Sequence, residues 1–133
     1  MRDIETREDI YYLLERFYAK AIPDETIGYF FTAVTKIDMT AHLPVITDFW
    51  EMVIFNGTRY KKNAIAIHAN LHRLSAMEDK HFTRWLQLFT TTIDELFSGE
   101  RAALAKQRAQ SIATVMKIKI LHSSPLNNNS NDN

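Results

Sequence analysis

Histidine is the residue type in this chain best suited to bind a metal, since cysteine is absent and five histidines are present. His68 and His72 are four residues apart, so on a helix both imidazoles would lie on one face, as a zinc site would require. The metalloprotease pattern also needs a glutamate directly after the first histidine, and Ala69 stands there instead. A buried histidine is more often hydrogen-bonded within the protein than bound to a metal. The pair alone therefore does not predict a metal site.

Three other side chains, Tyr18, His42 and Trp85, each combine an apolar ring with one hydrogen-bonding group. The apolar spacing of the chain places each of them on the inward face of a different predicted helix, where an unpaired polar group would cost free energy. They could hydrogen-bond to one another, or they could surround a small polar ligand with His68 below it as the metal ligand. The spacing by itself leaves both possibilities open.

The composition excludes several classes of function. Lys and Arg number 16 and Asp and Glu number 16, so we expect no nucleic acid partner, which would need a basic excess. The absence of cysteine excludes disulfides, thiolate nucleophiles and iron–sulfur clusters. No apolar run approaches the ~20 residues of a membrane span, and the charged segment Met1–Asp9 is unlike a signal peptide. We therefore expect a cytoplasmic protein with no membrane partner.

The chain has 133 residues with only three glycines and three prolines, which favours a single all-α domain. Helical spacing of the apolar residues predicts six helices that end near residues such as Pro23, Gly57 and Gly99. The expected helices are Thr6 to the residues before Pro23, Asp24–Val34, Met39–Phe55, Ala64–Leu74, Glu78–Phe97 and Glu100–Leu121.

The same pattern makes finer predictions. Thr6 and Asp9 should form a capping box at the start of the first helix. Pro44 should lie in the first turn of the third helix, where a missing N–H is tolerated. Val115 should be buried on the last helix. The aromatic run Tyr29-Phe30-Phe31 carries too much apolar area to lie at the surface. The expected inward stripe of the third helix is His42, Ile46, Phe49, Trp50 and Val53.

An ordered set of motifs resembles the truncated haemoglobins of group III. The match extends over residues 6 to 121, and no single short string carries it. Its first part is Phe17-Tyr18, Gly28 with Phe31, His42-Leu43-Pro44, Asp48-Phe49-Trp50, and Asn63 with His68. Its second part is His81-Phe82-Thr83-Arg84-Trp85-Leu86-Gln87-Leu88-Phe89, Thr92-Ile93-Asp94-Glu95-Leu96-Phe97 and Arg108-Ala109-Gln110-Ser111-Ile112-Ala113. The resemblance implies a truncated globin fold, a helical sandwich around a haem pocket, over residues 1–122.

The resemblance also assigns roles within that pocket. His68 matches the proximal position and should bond the iron of haem b through its imidazole. Tyr18, His42 and Trp85 match the distal positions, where the Tyr18 hydroxyl and the Trp85 indole N–H would donate to a ligand on the iron. Phe31 should pack on the haem, and Ile46 should wall the distal side. Further residues expected to contact the cofactor are Phe49, Trp50, Ile65 and His72.

The chain departs from the group in the approach to the proximal histidine, where Lys62-Asn63-Ala64-Ile65 replaces the usual Gly-Asn-Pro-Met. His72 and His81 are the competitors for the proximal role. Both match family positions off the iron, and we expect His81 at the surface near the start of its helix. The haem propionates need cations, and four lie near His68 in sequence: Arg59, Lys61, Lys62 and Arg73.

Three function classes remain. The first is a haem protein that binds dioxygen, nitric oxide and carbon monoxide. The second is an enzyme at the same haem, served by an unidentified reductase, that converts nitric oxide to nitrate or cleaves a peroxide O–O bond. The donors Tyr18 and Trp85 favour this class, because strong donors slow oxygen release. The third is a haem-free helical interaction module, which the composition permits and the resemblance disfavours.

Residues 123–133 consist mainly of Ser, Asn, Asp and Pro and lack the apolar side chains that offset ordering entropy, so we expect a disordered tail. Removal of Ser124–Asn133 should therefore leave haem content and the thermal midpoint nearly unchanged. Absorption spectroscopy and thermal unfolding of the truncated and full-length chains test this. A loss of several degrees would show that the tail packs on the domain.

Overall fold

The computed structural model describes residues 1–61 and 76–122, with side chains through Ile120, and this part of the chain is helical without a strand. Its elements are α1 (Arg7–Ala21), a π-helical turn (Phe30–Val34), α2 (Met39–Phe55), α3 (Asp79–Leu96) and α4 (Glu100–His122). The predicted all-α class is confirmed. The short helix predicted over 64–74, with Ile65, His68 and His72, lies outside the described residues. The tail predicted over 123–133 also lies outside them.

The first helix begins as its sequence predicts. The Thr6 hydroxyl accepts a hydrogen bond from the Asp9 backbone N–H, and the Asp9 carboxylate accepts one from the Thr6 N–H, each at 3.1 Å. This capping box satisfies donors that a helix start would otherwise leave unpaired. The predicted apolar stripe is buried as a whole: Ile10, Leu13, Leu14, Phe17, Tyr18 and Ala21. α1 packs through it against α2 and α3.

Helix α2 has the predicted bounds, but the position predicted for Pro44 is wrong. The helix starts at Met39, behind the N-cap Asp38, so Pro44 is its sixth residue and lies beyond the first turn. Thr40 and Pro44 are both exposed, and water can therefore take the hydrogen bond that proline cannot donate to the Thr40 carbonyl. At the other end, Asn56 adopts the left-handed conformation, with φ 60° and ψ 33°, and stops the helix.

The buried face of α2 is rotated from the predicted stripe. Leu43, Thr47, Trp50 and Ile54 are buried, and the Thr47 hydroxyl is satisfied by the Leu43 carbonyl at 2.6 Å. The other residues of the predicted stripe are half-buried: His42, Ile46, Phe49 and Val53. Three of these four, His42, Ile46 and Phe49, line a cavity, while Ile46, Phe49 and Val53 pack against the core at its edge.

Helix α4 presents small residues to its neighbours. Ala102, Ala105, Ala109 and Ala113 are buried, so α4 can approach α2 and α3 closely. The predicted burial of Val115 is wrong, since 43% of its surface is exposed. Its position lies one residue off the buried series, which ends with Met116 and Ile120.

The segment between α1 and α2 is more irregular than the predicted helix. Asp24, whose carbonyl accepts the Gly28 N–H at 2.9 Å, starts a turn that leads into the π-helical turn. Phe30 is buried and Phe31 half-buried, but Tyr29 is 37% exposed, so the expectation that the whole aromatic run is buried is wrong for Tyr29. No helix in residues 1–61 or 76–122 is long and apolar enough to cross a membrane.

The substitution Gly28→Ala should lower the free energy of unfolding by about 2–3 kcal/mol, because the added methyl group overpacks against rigid backbone. Its Cβ would lie 2.2 Å from the Ile22 carbonyl oxygen. Gly57→Ala is the control, since its Cβ would meet the Glu51 side chain, at 2.9 Å, rather than backbone, and the change should cost less than Gly28→Ala because a side chain can shift more easily than a backbone carbonyl. Urea unfolding of both variants measures this, and equal losses would contradict the steric argument.

Candidate functional site

A cavity of about 400 Å³ lies between α1, α2, α3, the π-helical turn and the carboxyl-terminal half of α4. Its volume is within the range of small-molecule pockets, about 300–1,000 Å³. All the predicted site residues that fall within the described ranges line it: Tyr18, Phe31, His42, Ile46, Phe49, Trp50 and Trp85. The fold thus brings together side chains that are up to 67 positions apart between Tyr18 and Trp85.

Tyr18 and His42 form a polar pair on the wall of this cavity. The Tyr18 hydroxyl oxygen lies 2.8 Å from His42 Nε2, and the two rings meet edge to face with centroids 5.3 Å apart. Tyr18 is only 8% exposed, and burial raises the pKa of its hydroxyl far above the usual value. The group therefore remains a hydroxyl at any physiological pH and can donate a hydrogen bond. These two side chains satisfy each other, as one of the two sequence interpretations expects.

Trp85 does not join that pair. Its indole ring is half-buried and stacks on Phe89 with centroids 5.3 Å apart and planes within 6° of parallel. Phe17 meets the same ring edge to face at 6.2 Å. Within the part of the chain that the structure describes, the indole N–H makes no hydrogen bond to protein. The three half-polar residues thus share one cavity without forming one network.

Aromatic contacts fix the remaining walls. Phe31 packs edge to face on Tyr18, with centroids 5.5 Å apart. Trp50 stacks on Phe89 at 4.7 Å, which connects α2 to α3 across the cavity floor. Phe49 meets Tyr60 edge to face at 5.2 Å. Such contacts leave the rings few alternative positions, so the shape of the cavity is preformed.

An ion pair holds α3 against the segment that follows α1. Arg84, the neighbour of Trp85, donates from Nε to Asp24 Oδ1 at 2.8 Å, and its Nη2 forms an ion pair with the same oxygen, also at 2.8 Å. Burial alone would raise the pKa of Asp24, but the hydrogen bonds from Arg84 and from the backbone N–H groups of Thr26 and Ile27 outweigh it and hold the pKa below its usual value. The charged carboxylate therefore connects the loop that carries Phe31 to the helix that carries Trp85.

Sequence reasoning missed several cavity residues. The expectation that His81 lies at the surface is wrong, because it is 4% exposed and lines the cavity. One sequence signal could have placed it: three residues after Glu78, His81 occupies the capping-box position at the start of α3. The other wall residues that were not predicted as site residues are Leu14, Phe17, Ile27, Phe30, Thr35, Ile37, Met77, Phe82, Phe89, Ile112, Ala113 and Met116.

The predicted iron ligand and its neighbours cannot be placed. His68, His72, Ile65, Lys62 and Arg73 lie outside the described residues. Among the residues that are described, no group of three or more His, Asp or Glu could hold a metal ion.

Two of the four cations considered for the haem propionates are described. Arg59 and Lys61 are exposed, and Arg59 Nε lies 3.8 Å from the Glu51 carboxylate. Tyr60, the residue between them, packs on the cavity wall through Phe49. Both cations therefore lie next to a residue that contacts the cavity lining.

No family model matches this chain, but one curated protein and one solved structure are similar to it. The group 3 truncated haemoglobin ctb of Campylobacter jejuni is 26% identical over 111 residues, which span 81% of this chain and 85% of that protein. The crystal structure of the group III truncated haemoglobin from Campylobacter jejuni superposes with a TM-score of 0.79 at 26% identity, covering 90% of this chain and 95% of that one. The resemblance that the sequence motifs indicate is thereby confirmed: the chain has the truncated globin fold and is similar to a group III truncated haemoglobin.

Proposed function

We propose that this chain is a globin-type haem protein that binds dioxygen, and also nitric oxide and carbon monoxide, in the cavity between its helices. One observation carries the proposal. The hydroxyl of Tyr18 and the imidazole of His42, 2.8 Å apart, form a hydrogen-bonding pair in a largely apolar and aromatic cavity. The similar curated protein and the similar solved structure are both named truncated haemoglobins, which supports the same conclusion.

The cavity residues fit haem b. A porphyrin is flat and apolar over most of its surface, and the aromatic and aliphatic walls around about 400 Å³ suit such a group. Phe31, Ile46, Phe49 and Trp50 would pack on it, joined by Ile65 and His72, and His68 would bind its iron. The propionates carry negative charge, for which Arg59 and Lys61 offer the nearest described cations.

The chain's own residues would control a ligand at the polar end. Haem supplies an iron that binds diatomic gases reversibly. Tyr18 can direct its hydroxyl proton either to His42 Nε2 or to a ligand that comes within reach, because its raised pKa keeps that proton in place. Trp85 holds an indole N–H that has no protein acceptor in the described ranges, so this donor is available as well. The aromatic walls exclude water, which strengthens both hydrogen bonds.

The second candidate is an enzyme at the same site. The observation that favours it is the presence of two hydrogen-bond donors, Tyr18 and Trp85, on the cavity wall. Strong donors slow the release of bound dioxygen, which suits a reaction at the iron better than oxygen transport. Conversion of nitric oxide and dioxygen to nitrate consumes one electron per turnover, and peroxide reduction consumes two. Either reaction therefore needs a reductase as partner. Rates of oxygen release and of nitric oxide consumption by the same preparation distinguish the carrier from the enzyme.

The substitution His68→Ala should give a helical protein that has lost stoichiometric haem, because the imidazole is the bond between chain and iron. The measurement is the absorption spectrum of the purified protein, ferric and then reduced with dithionite under carbon monoxide, together with circular dichroism. His72→Ala is the matched control, four residues away, and should keep its Soret band. Normal haem content in His68→Ala would show that another histidine binds the iron. Absence of a Soret band in the wild type would contradict the haem proposal.

The substitution Tyr18→Phe keeps the ring and deletes only the hydroxyl. A hydrogen bond to a partly charged ligand is worth roughly 1.5 to 3 kcal/mol, so oxygen should dissociate about tenfold to a hundredfold faster. Carbon monoxide is less polarised, and its dissociation should change much less. Stopped-flow ligand replacement measures both rates. Oxygen release at the wild-type rate would show that the hydroxyl does not contact the ligand, and the enzyme candidate would lose its main support.

Trp85→Phe should act in the same direction as Tyr18→Phe, since it removes the second donor and keeps an aromatic ring. If both donors contact one ligand, the effects of the two substitutions on oxygen dissociation should be non-additive in the double variant. The same stopped-flow assay on both single variants and the double variant measures the coupling. Strict additivity would indicate that the two groups act on separate parts of the cavity.

A further inference from the structure

Glu78, His81 and Tyr29 form a hydrogen-bonded cluster, here called the His81 cluster, on the cavity wall away from Tyr18 and His42. The Glu78 backbone N–H donates to the ring nitrogen Nδ1 of His81 at 2.8 Å. The backbone N–H of His81 donates to the Glu78 carbonyl at 2.9 Å. The Tyr29 hydroxyl lies 3.3 Å from His81 Nε2. One imidazole thus joins the start of α3 to the segment that enters the π-helical turn.

The cluster belongs to the cavity wall. His81, Phe30 and Met77 all line the cavity, and the His81 ring meets Phe30 edge to face with centroids 5.0 Å apart. Tyr29 packs on Phe30 at 4.3 Å. The next residue, Phe31, contacts Tyr18. A change at His81 therefore acts directly on the packing of the π-helical turn.

The hydrogen bonds define the protonation state of His81. Nδ1 accepts a hydrogen bond from the Glu78 backbone N–H and so carries no hydrogen itself, which leaves Nε2 as the protonated nitrogen that donates to the Tyr29 hydroxyl. Protonation would put a hydrogen on Nδ1 as well. Two hydrogens would then face each other between Glu78 and His81, and the bond that caps α3 would be lost.

The surroundings of His81 also disfavour the charged form. Burial lowers the pKa of His81, Lys80 lowers it further, and the carboxylate of Glu78 opposes both. Asp79 is paired with Lys117 of α4, and Asp24 with Arg84, so neither carboxylate is unpaired. Tyr29 presents its hydroxyl to the ring. The first turn of a helix is in addition a poor position for a positive charge.

We propose that His81 is a pH-sensitive positioning residue for the cavity: its neutral imidazole holds the π-helical turn against the start of α3, and its protonation releases both. The neutral form, and with it the closed wall, predominates above the pKa of a free histidine. The wall loosens as the pH falls through the lower pKa of His81, because the opened state binds the proton more tightly than the closed one. This inference concerns the cavity itself and does not require haem to be its ligand.

Amide hydrogen exchange of the full-length chain, followed by NMR, tests the proposal between pH 7.5 and 4.5. Protection of the Glu78 amide, corrected for the intrinsic exchange rate, should be constant at high pH. Below the pKa of a free histidine it should fall about tenfold per pH unit, and below the lower pKa measured for His81 in the same sample it should level off. The amide of Thr35, which bonds to the Phe30 carbonyl in the π-helical turn at 3.0 Å, should lose protection over the same pH interval.

Three comparisons make the test specific. The Asp9 amide is an equivalent cap bonded to the Thr6 hydroxyl, which does not titrate, and its protection should stay constant. His81→Gln supplies an acceptor that does not titrate and should abolish the pH dependence at Glu78 and Thr35. His122→Gln removes a histidine from the end of α4 and should leave the pH dependence intact.

Three results would overturn the proposal. The first is constant protection of Glu78 in the wild type through the titration of His81. The second is a loss at Glu78 without any loss at Thr35, and the third is full pH dependence in His81→Gln. If His81→Gln does not fold, the wild-type measurement decides by itself, since the two amides must lose protection together, between the pKa of a free histidine and the lower pKa of His81.

Discussion

The constraint on which this structure depends is the burial of a tyrosine hydroxyl and a histidine ring nitrogen among aromatic side chains. Burial of either group without a hydrogen-bonding partner would cost free energy. A hydrogen bond between Tyr18 and His42 avoids this cost. The distance of 2.8 Å between them sets the separation and rotation of α1 and α2 at this level. The half-burial of His42, Ile46 and Phe49 follows, because a face that surrounds a cavity cannot also pack fully against a neighbouring helix.

Rigid rings keep that cavity open. Trp50, Phe89 and Trp85 form a continuous stack from α2 to α3, with centroid separations of 4.7 and 5.3 Å. Flat rings locked against one another cannot collapse into the space beside them, as flexible aliphatic side chains could. The alanines of α4 have the complementary role, since Ala105 and Ala109 let the last helix close the fold without adding side-chain volume. The cavity therefore results from where large and small residues are placed.

Polar caps and ion pairs position this framework. The Thr6–Asp9 box starts α1, and the Asp24–Arg84 pair joins the loop after α1 to α3. His81 also joins this segment to α3, through the Tyr29 hydroxyl and the cap at Glu78, but with an imidazole that gains a proton when the pH falls. The segment between α1 and α2 is thus held to α3 by one pair of groups that stay charged at physiological pH and by one group whose state changes with pH.

The sequence by itself determined the features that depend on local chemistry and on ordered motifs. The start of α1 at Thr6, the end of α2 at Asn56 and the resemblance to group III truncated haemoglobins could all be predicted, because caps and motifs are properties of neighbouring residues. Only the tertiary structure decided how the helices turn and what each face meets. The buried face of α2 differs from the predicted stripe, Val115 is exposed, and, within the described ranges, Trp85 makes no hydrogen bond to the Tyr18–His42 pair. The tertiary structure also buried His81, since burial is set by the elements that pack on a residue and not by its neighbours in sequence.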